Sequence, residues 1–174
     1  MIPRRIPNAY SIWLIPNNEK FILLKNIIIE LSQFFENIKI IPHVTLMSNL
    51  DYDEKFLSKK IESIAKKVKP FNIYFSEIDY LDDFFQSFFI SVKIDNHLTY
   101  IRKITKLSFP KINEKYNPHL SLAYGYIESK IKKNLKNKTH CPVKSFKVKE
   151  LYLAHNDEIN LKWKVIDKFP LKND

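Results

Sequence analysis

Two pentapeptides, PHVTL at residues 42–46 and PHLSL at residues 118–122, share the order proline, histidine, apolar residue, hydroxyl residue, leucine. Their histidines, at 43 and 119, stand 76 positions apart, and each lies on a stretch that reads as a β-strand after a long helix. Successive side chains of a strand point to opposite faces. His43 and Thr45 therefore share one face while Val44 and Leu46 share the other, and His119 and Ser121 stand against Leu120 and Leu122 in the same way. One face belongs to a core; the other carries chemistry. Proline suits the position before each histidine because it can open a strand without removing an interior ladder bond.

The neighbouring segments repeat as well. Residues 9–15, rich in aromatic and β-branched side chains between Pro7 and Pro16, read as a strand. Residues 18–36 carry apolar side chains at Phe21, Leu24, Ile28, Leu31 and Phe35, a helical period with Asn17 or Asn18 as N-cap. A strand over 40–47 follows, then a helix over 53–68 with Phe56, Leu57, Ile61, Ile64, Ala65 and Val68 on one face, ended by Pro70. Strands are expected over 71–80 and 85–94 with a turn at Asp82 and Asp83, and a third helix over 95–108. The second motif strand covers 118–124, a Lys-rich helix 127–137, and late strands 144–154 and 161–167. Residues 9–68 and 85–137 thus each run strand, helix, motif strand, helix. This is the pattern of a diverged duplication of an α+β unit. Packed about a pseudo-two-fold axis, the two motif strands would face each other across a cleft, and no linker separates the units into independent domains. We therefore expect one two-lobed domain over 1–174.

At 174 residues the chain is long enough to build a substantial core. The lone cysteine, Cys141, cannot form an internal disulfide, so a cytoplasmic location is expected, with a nuclear one as the alternative. The arginines before the first strand mimic a signal peptide, but the apolar stretch between Pro7 and Pro16 is short and no small-residue cleavage site follows. No apolar run is long enough to cross a bilayer as a helix, so no membrane partner is expected. A net charge of +10 suits a phosphate-bearing partner. Eight lysines and no acidic residue fall within 130–149, a stretch that reads either as a solvated face or as a track for RNA.

A histidine beside a hydroxyl is a useful pair for phosphoryl chemistry. Imidazole gains and loses a proton near neutral pH, and a threonine or serine hydroxyl can donate to a phosphate oxygen. Two opposed pairs supply a base, an acid and two donors, as an in-line displacement at phosphorus requires. His43 and His119 are the candidate catalytic residues, and Thr45 and Ser121 the candidate phosphate ligands. His97 falls at a helix start, His140 beside Cys141 in a loop, and His155 in a turn, HNDE, so none of these is assigned chemistry. His43, His119, His140, Cys141 and His155 lack the close spacing of metal ligands, and no metal or other cofactor is expected. Gly125 is the chain's single glycine, which excludes a glycine-rich phosphate loop and a dinucleotide fingerprint.

The two motifs, one on each of two similar units, resemble the signature of the two-histidine phosphoesterase superfamily, a pair of His-x-Thr/Ser tetrapeptides. Together with YSIWLIP, PHVTLMSNL and NPHLSLAYG, they look most like the small cyclic phosphodiesterases of plants and fungi. The resemblance implies a bilobal α+β fold with antiparallel sheets lining a central cleft and helices outside. It implies metal-independent opening of ADP-ribose 1″,2″-cyclic phosphate or nucleoside 2′,3′-cyclic phosphates, giving the 1″- or 2′-phosphate. His43 and His119 are then acid and base, with Thr45 and Ser121 on the phosphate. Tyr124 resembles the tyrosine near the phosphate in those enzymes, although strand alternation places it opposite His119 unless the strand ends near Gly125. Trp13 is carried over as a wall for base or ribose. A monomer acting on a small cyclic nucleotide is expected; the alternatives are an RNA-end or oligonucleotide phosphoesterase of the same superfamily and a non-catalytic basic RNA-binding protein.

Overall fold

The computed structural model describes residues 8–172 except 37, 113 and 114. Its eight strands are β1 (Ala9–Leu14), β2 (Val44–Leu50), β3 (Phe71–Asp79), β4 (Phe88–Val92), β5 (His119–Ala123), β6 (Ser145–Val148), β7 (Glu150–Asp157) and β8 (Lys162–Pro170). Four helices, α1 (Asn18–Leu31), α2 (Glu54–Ala65), α3 (Asn96–Ser108) and α4 (Ser129–Lys138), complete the α+β architecture. Two of the four helices, α2 and α3, start where an aspartate precedes an apolar period, while Asn17 precedes α1 without a side-chain cap bond. Asp53 accepts from the amides of Lys55 and Phe56, and Asp95 from that of Leu98, relieving amides that a helix N-terminus leaves unpaired. α1 stops at Leu31, short of the expected residue 36; after the Ser32 amide the helical ladder gives way to a turn in which the Phe34 amide bonds to the Leu31 carbonyl at 2.9 Å. Phe56 leaves the face expected of it and is exposed, against Tyr52 and beneath the Lys60 ammonium.

All neighbouring strands are antiparallel, in the order β6-β3-β4-β5-β2-β1-β7-β8. Read outward from the middle, each half presents its motif strand first (β2 or β5), then the strand that opens its unit (β1 or β4), then a closing pair. The two halves are thus joined edge to edge rather than as separate sheets. Among the described residues, β2 and β5 meet in register at a single position, Val44 opposite Leu120. The helices interlock the halves. α1 of the first unit packs on β5 of the second, α3 of the second packs on β2 and β3, and α2 covers β7 and β8.

The stretch expected as one strand over 144–154 breaks at Lys149 into β6 and β7, which belong to opposite halves of the sheet. β6 pairs with β3 at one edge while β7 lies between β1 and β8. Consecutive Cα atoms are about 3.8 Å apart. A one-residue crossing from one edge to the far half therefore requires the sheet to curl back on itself, as accumulated strand twist allows. The core fills the layer between the sheet and the helices, with Ile12, Leu14, Leu46, Leu120, Leu122 and Phe146 at most 1% exposed.

Candidate active site

The curled sheet encloses an open cleft of about 560 Å³ along the junction of its halves, within the size range of small-molecule sites. Trp13 of β1, His43 and Thr45 of the first motif, His119, Ser121 and Tyr124 of the second, and Trp163 of β8 all line it. The structure thus brings together every site residue expected from the sequence. Pairing of Val44 with Leu120 sends both apolar side chains away from the cleft, where each is fully buried. One residue to either side, the same register sets His43 beside Ser121 and Thr45 beside His119. Each histidine therefore neighbours the other motif's hydroxyl, and the two rings occupy diagonal positions, where Cα atoms lie about 7–8 Å apart.

The rings are held alike. His43 Nδ1 lies 2.7 Å from the carbonyl oxygen of Ile41, and His119 Nδ1 lies 2.7 Å from that of Asn117. A carbonyl only accepts, so Nδ1 donates in both and Nε2 carries the lone pair of the neutral ring. The motif proline accounts for the shared geometry. It pushes the residue before it into extended conformation, which sets the carbonyl that each imidazole reaches two residues on.

An aromatic ring supports each imidazole from the same place in its half. Trp13 pairs with Thr45 and stacks on His43, with centroids 3.7 Å apart and planes 15° from parallel. Phe89 pairs with Ser121 and meets His119 edge-on at 5.2 Å. Trp13 is 2% exposed, so its position beneath the imidazole leaves little ring surface as a wall for base or ribose.

Tyr124 reaches the cleft because β5 stops at Ala123 and Gly125 adopts φ +122°, a conformation open to glycine and strained for side chains with a Cβ. The Gly125 amide is fastened to the Phe84 carbonyl at 3.0 Å, and the Tyr124 ring lies 5.4 Å from Phe85 and 5.5 Å from Trp163. Trp163 comes from the last strand, and the curl carries it across to Tyr124. The loop 81–87 closes this side: Asp83 accepts from the amides of Phe85 and Gln86, and the Phe85 carbonyl accepts from Ser121 Oγ at 3.2 Å.

Sequence reasoning missed Phe85, Gln86, Trp163, Ser11 and Asn156 as cleft residues. Asn117 was visible as the first letter of NPHLSL; the others sit in segments without a motif. Of the segment read as the turn HNDE, residues 155–157 are strand and the turn begins at Glu158: His155 lies in β7 with its ring 5.1 Å from Tyr10, and Asn156 accepts from Ser11 Oγ at 3.0 Å in the cleft floor. Among the described residues, Lys115 and Asp83 are the Lys, Arg, Asp or Glu side chains along the lining. None of the lysines in 130–149 lines the cleft; Lys132 and Lys136 pair with Asp82 and Asp79 instead. Among the described residues no three His, Cys, Asp or Glu side chains cluster as metal ligands, and no helix is long and apolar enough to cross a membrane.

Known proteins resemble the chain in sequence and in fold. The chain is 25% identical over 134 residues to a cyclic phosphodiesterase of Arabidopsis thaliana, covering 76% of this chain and 74% of that protein. The fold is similar to TT0787 of Thermus thermophilus, with a TM-score of 0.67 at 13% identity over 95% of this chain and 99% of that one. It is also similar to E. coli LigT complexed with 3′-AMP, with a TM-score of 0.63 at 12% identity over 97% of this chain and all (100%) of that one. The model of the cyclic phosphodiesterase-like protein family matches residues 8–171, nearly all of the described structure. The chain belongs to the cyclic phosphodiesterase-like family, within the two-histidine phosphoesterase superfamily, and is a phosphodiesterase enzyme.

Proposed function

We propose that the enzyme hydrolyses small cyclic phosphates, nucleoside 2′,3′-cyclic phosphates and ADP-ribose 1″,2″-cyclic phosphate, by paired histidine acid–base catalysis without a metal. The observation that carries this reading is the diagonal arrangement of two histidine–hydroxyl pairs, with Nδ1 of both rings committed to backbone carbonyls. A phosphate set between the motifs meets an Nε2 on either side. One neutral ring takes a proton from water as its oxygen bonds to phosphorus. The other, protonated at Nε2, gives its proton to the ester oxygen as the P–O bond to the sugar breaks, leaving a monophosphate and a free hydroxyl. Thr45 and Ser121 donate to the non-bridging oxygens. For Ser121 this needs its hydroxyl proton to turn from the Phe85 carbonyl toward the phosphate, a rotation about one bond. Trp13 and Phe89 hold the ring planes, and Tyr124 with Trp163 and Phe85 offers an aromatic wall for the nucleoside.

The absence of the 130–149 lysines from the cleft lining favours a small substrate over an RNA track, and a fold neighbour that takes 3′-AMP is in keeping with a mononucleotide. Because the acid faces one ester oxygen, one regioisomer should form: the 2′-phosphate from nucleosides and the 1″-phosphate from ADP-ribose cyclic phosphate. Product identification by phosphorus NMR tests this, alongside a rate unchanged by chelator. A comparable mixture of 2′- and 3′-phosphates, or activity restored by added zinc after chelation, contradicts the mechanism. Turnover confined to RNA ends and falling steeply with salt would instead select the polynucleotide substrate.

A further inference from the structure

α4 carries most of the basic stretch, and one of its lysines behaves unlike the rest. Lys132 is 1% exposed. Its Nζ donates to the Leu81 carbonyl at 2.7 Å and to Asp82 Oδ1 at 3.2 Å, while Ser129 Oγ, one turn earlier, donates to the same Asp82 oxygen at 3.2 Å. Burying an ammonium is costly unless it is paired, and methionine would fill the same space without that cost. The Asp82 side chain is 84% exposed, so water competes for its charge, and the Leu81 carbonyl is the partner inside. The ammonium therefore does something that packing does not require: it fixes the start of loop 81–87.

That loop is a wall of the cleft through Leu81, Asp83, Phe85 and Gln86. Its ends are closed by the Leu81 amide on the Gln86 carbonyl at 3.1 Å. From there bonds run to the second motif: Asn117 Nδ2 to Gln86 Oε1 at 3.2 Å, Ser121 Oγ to the Phe85 carbonyl, and the Gly125 amide to the Phe84 carbonyl. We propose that Lys132 is a positioning residue: from outside the cleft it holds the 81–87 loop as the substrate-binding wall, so that its loss weakens substrate binding while the acid–base chemistry persists. The inference rests on the cleft being the substrate site. His43 keeps its anchor at the Ile41 carbonyl, and His119 keeps its own at the backbone carbonyl of Asn117, whose side chain alone bonds to the loop.

Lys136, one turn further along α4, supplies the control. It ties the same helix to β3 through Asp79 at 3.1 Å and Glu77 at 3.6 Å, without touching the loop. The test compares Lys132→Met and Lys136→Met by amide hydrogen exchange and by kinetics on a nucleoside 2′,3′-cyclic phosphate. Lys132→Met should speed exchange at the amides of Leu81 and Gly125 and raise KM about tenfold with kcat held within about threefold, the split expected when ground-state and transition-state binding are lost together. Lys136→Met should move neither. Unchanged exchange and KM in Lys132→Met, or an equal change in Lys136→Met, overturns the assignment, the latter by reducing Lys132 to helix docking. If Lys132→Met does not fold, Asp82→Ala loosens the same tether from the solvent side and should raise KM about threefold; no change there also overturns it. A wild type without turnover of cyclic phosphates would defeat the proposed reaction, while the exchange comparison would still judge the tether.

Discussion

Asparagine at position 43 or 119 separates ring positioning from proton transfer. Its side-chain nitrogen falls near the place of imidazole Nδ1 and can keep donating to the Ile41 or Asn117 carbonyl, which the histidines reach at 2.7 Å. Nothing then stands where Nε2 was. Loss of a general acid or base costs about 10²–10⁴ in rate, which is about 3–5 kcal/mol of transition-state stabilisation. The structural cost is smaller. It is the ring contact with Trp13 at 3.7 Å or Phe89 at 5.2 Å, worth about 0.5–1.5 kcal/mol for aromatic pairs, or about 1–6 °C in Tm for a chain of this length. His43→Asn and His119→Asn should therefore melt close to wild type while kcat on a nucleoside 2′,3′-cyclic phosphate collapses. The pH profile then assigns the roles. The base must be neutral, so the rate falls as acid protonates it; the acid must be protonated, so the rate falls as alkali removes its proton. The wild type should show both limbs, and each variant should lose one, identifying the residue removed. The double variant should lose less than the product of the singles, because both act on one step. A folded single variant retaining more than about a tenth of wild-type kcat would refute proton transfer through that ring.

Gly125→Ala should destabilise the fold by about 1–3 kcal/mol and lower activity, since φ +122° is strained for alanine and the new Cβ would sit 3.2 Å from Glu36 Cγ; thermal melting and kcat/KM on the same preparation check it, and an unaffected variant would show that the turn after Tyr124 is not tightly set. Glu150 gives a prediction on the acid side. Burial pushes its carboxyl up, but the Tyr152 hydroxyl at 2.5 Å and the Lys168 ammonium at 3.0 Å outweigh that and hold it below its ordinary value. A carboxylate depressed in the folded state adds stability above its unfolded value, here 4.5, and loses it as pH falls through the folded one. Glu150→Gln should accordingly flatten the decline in stability below about pH 4.5, measured by denaturant melts across pH, and an unaltered decline would show that other carboxylates carry it.

Much of this was legible in the sequence because it is local. Alternation along five residues fixed which side chains of each motif share a face, and the run of apolar residues placed α2 and α3 within 53–68 and 95–108. The repetition of strand, helix, motif strand, helix foreshadowed two halves facing one cleft. Local periodicity carries no information about what a side chain meets from a distant strand. Whether Trp13 walls the substrate or underlies His43 depends on the register of β1 against β2, and Trp163 enters the site only because the sheet curls far enough to bring β8 over Tyr124. The same curl splits 144–154 between two halves of the sheet, a break that the composition around Lys149 does not announce. Lys132 belongs to this class too. In sequence it is one lysine among eight in a basic run, and only the packing of α4 against the loop after β3 removes it from water and gives its charge a specific partner. The motif residues were fixed by chemistry within a few positions of one another; the walls, supports and tethers around them were decided by long-range pairing, where burial and register act across the whole chain.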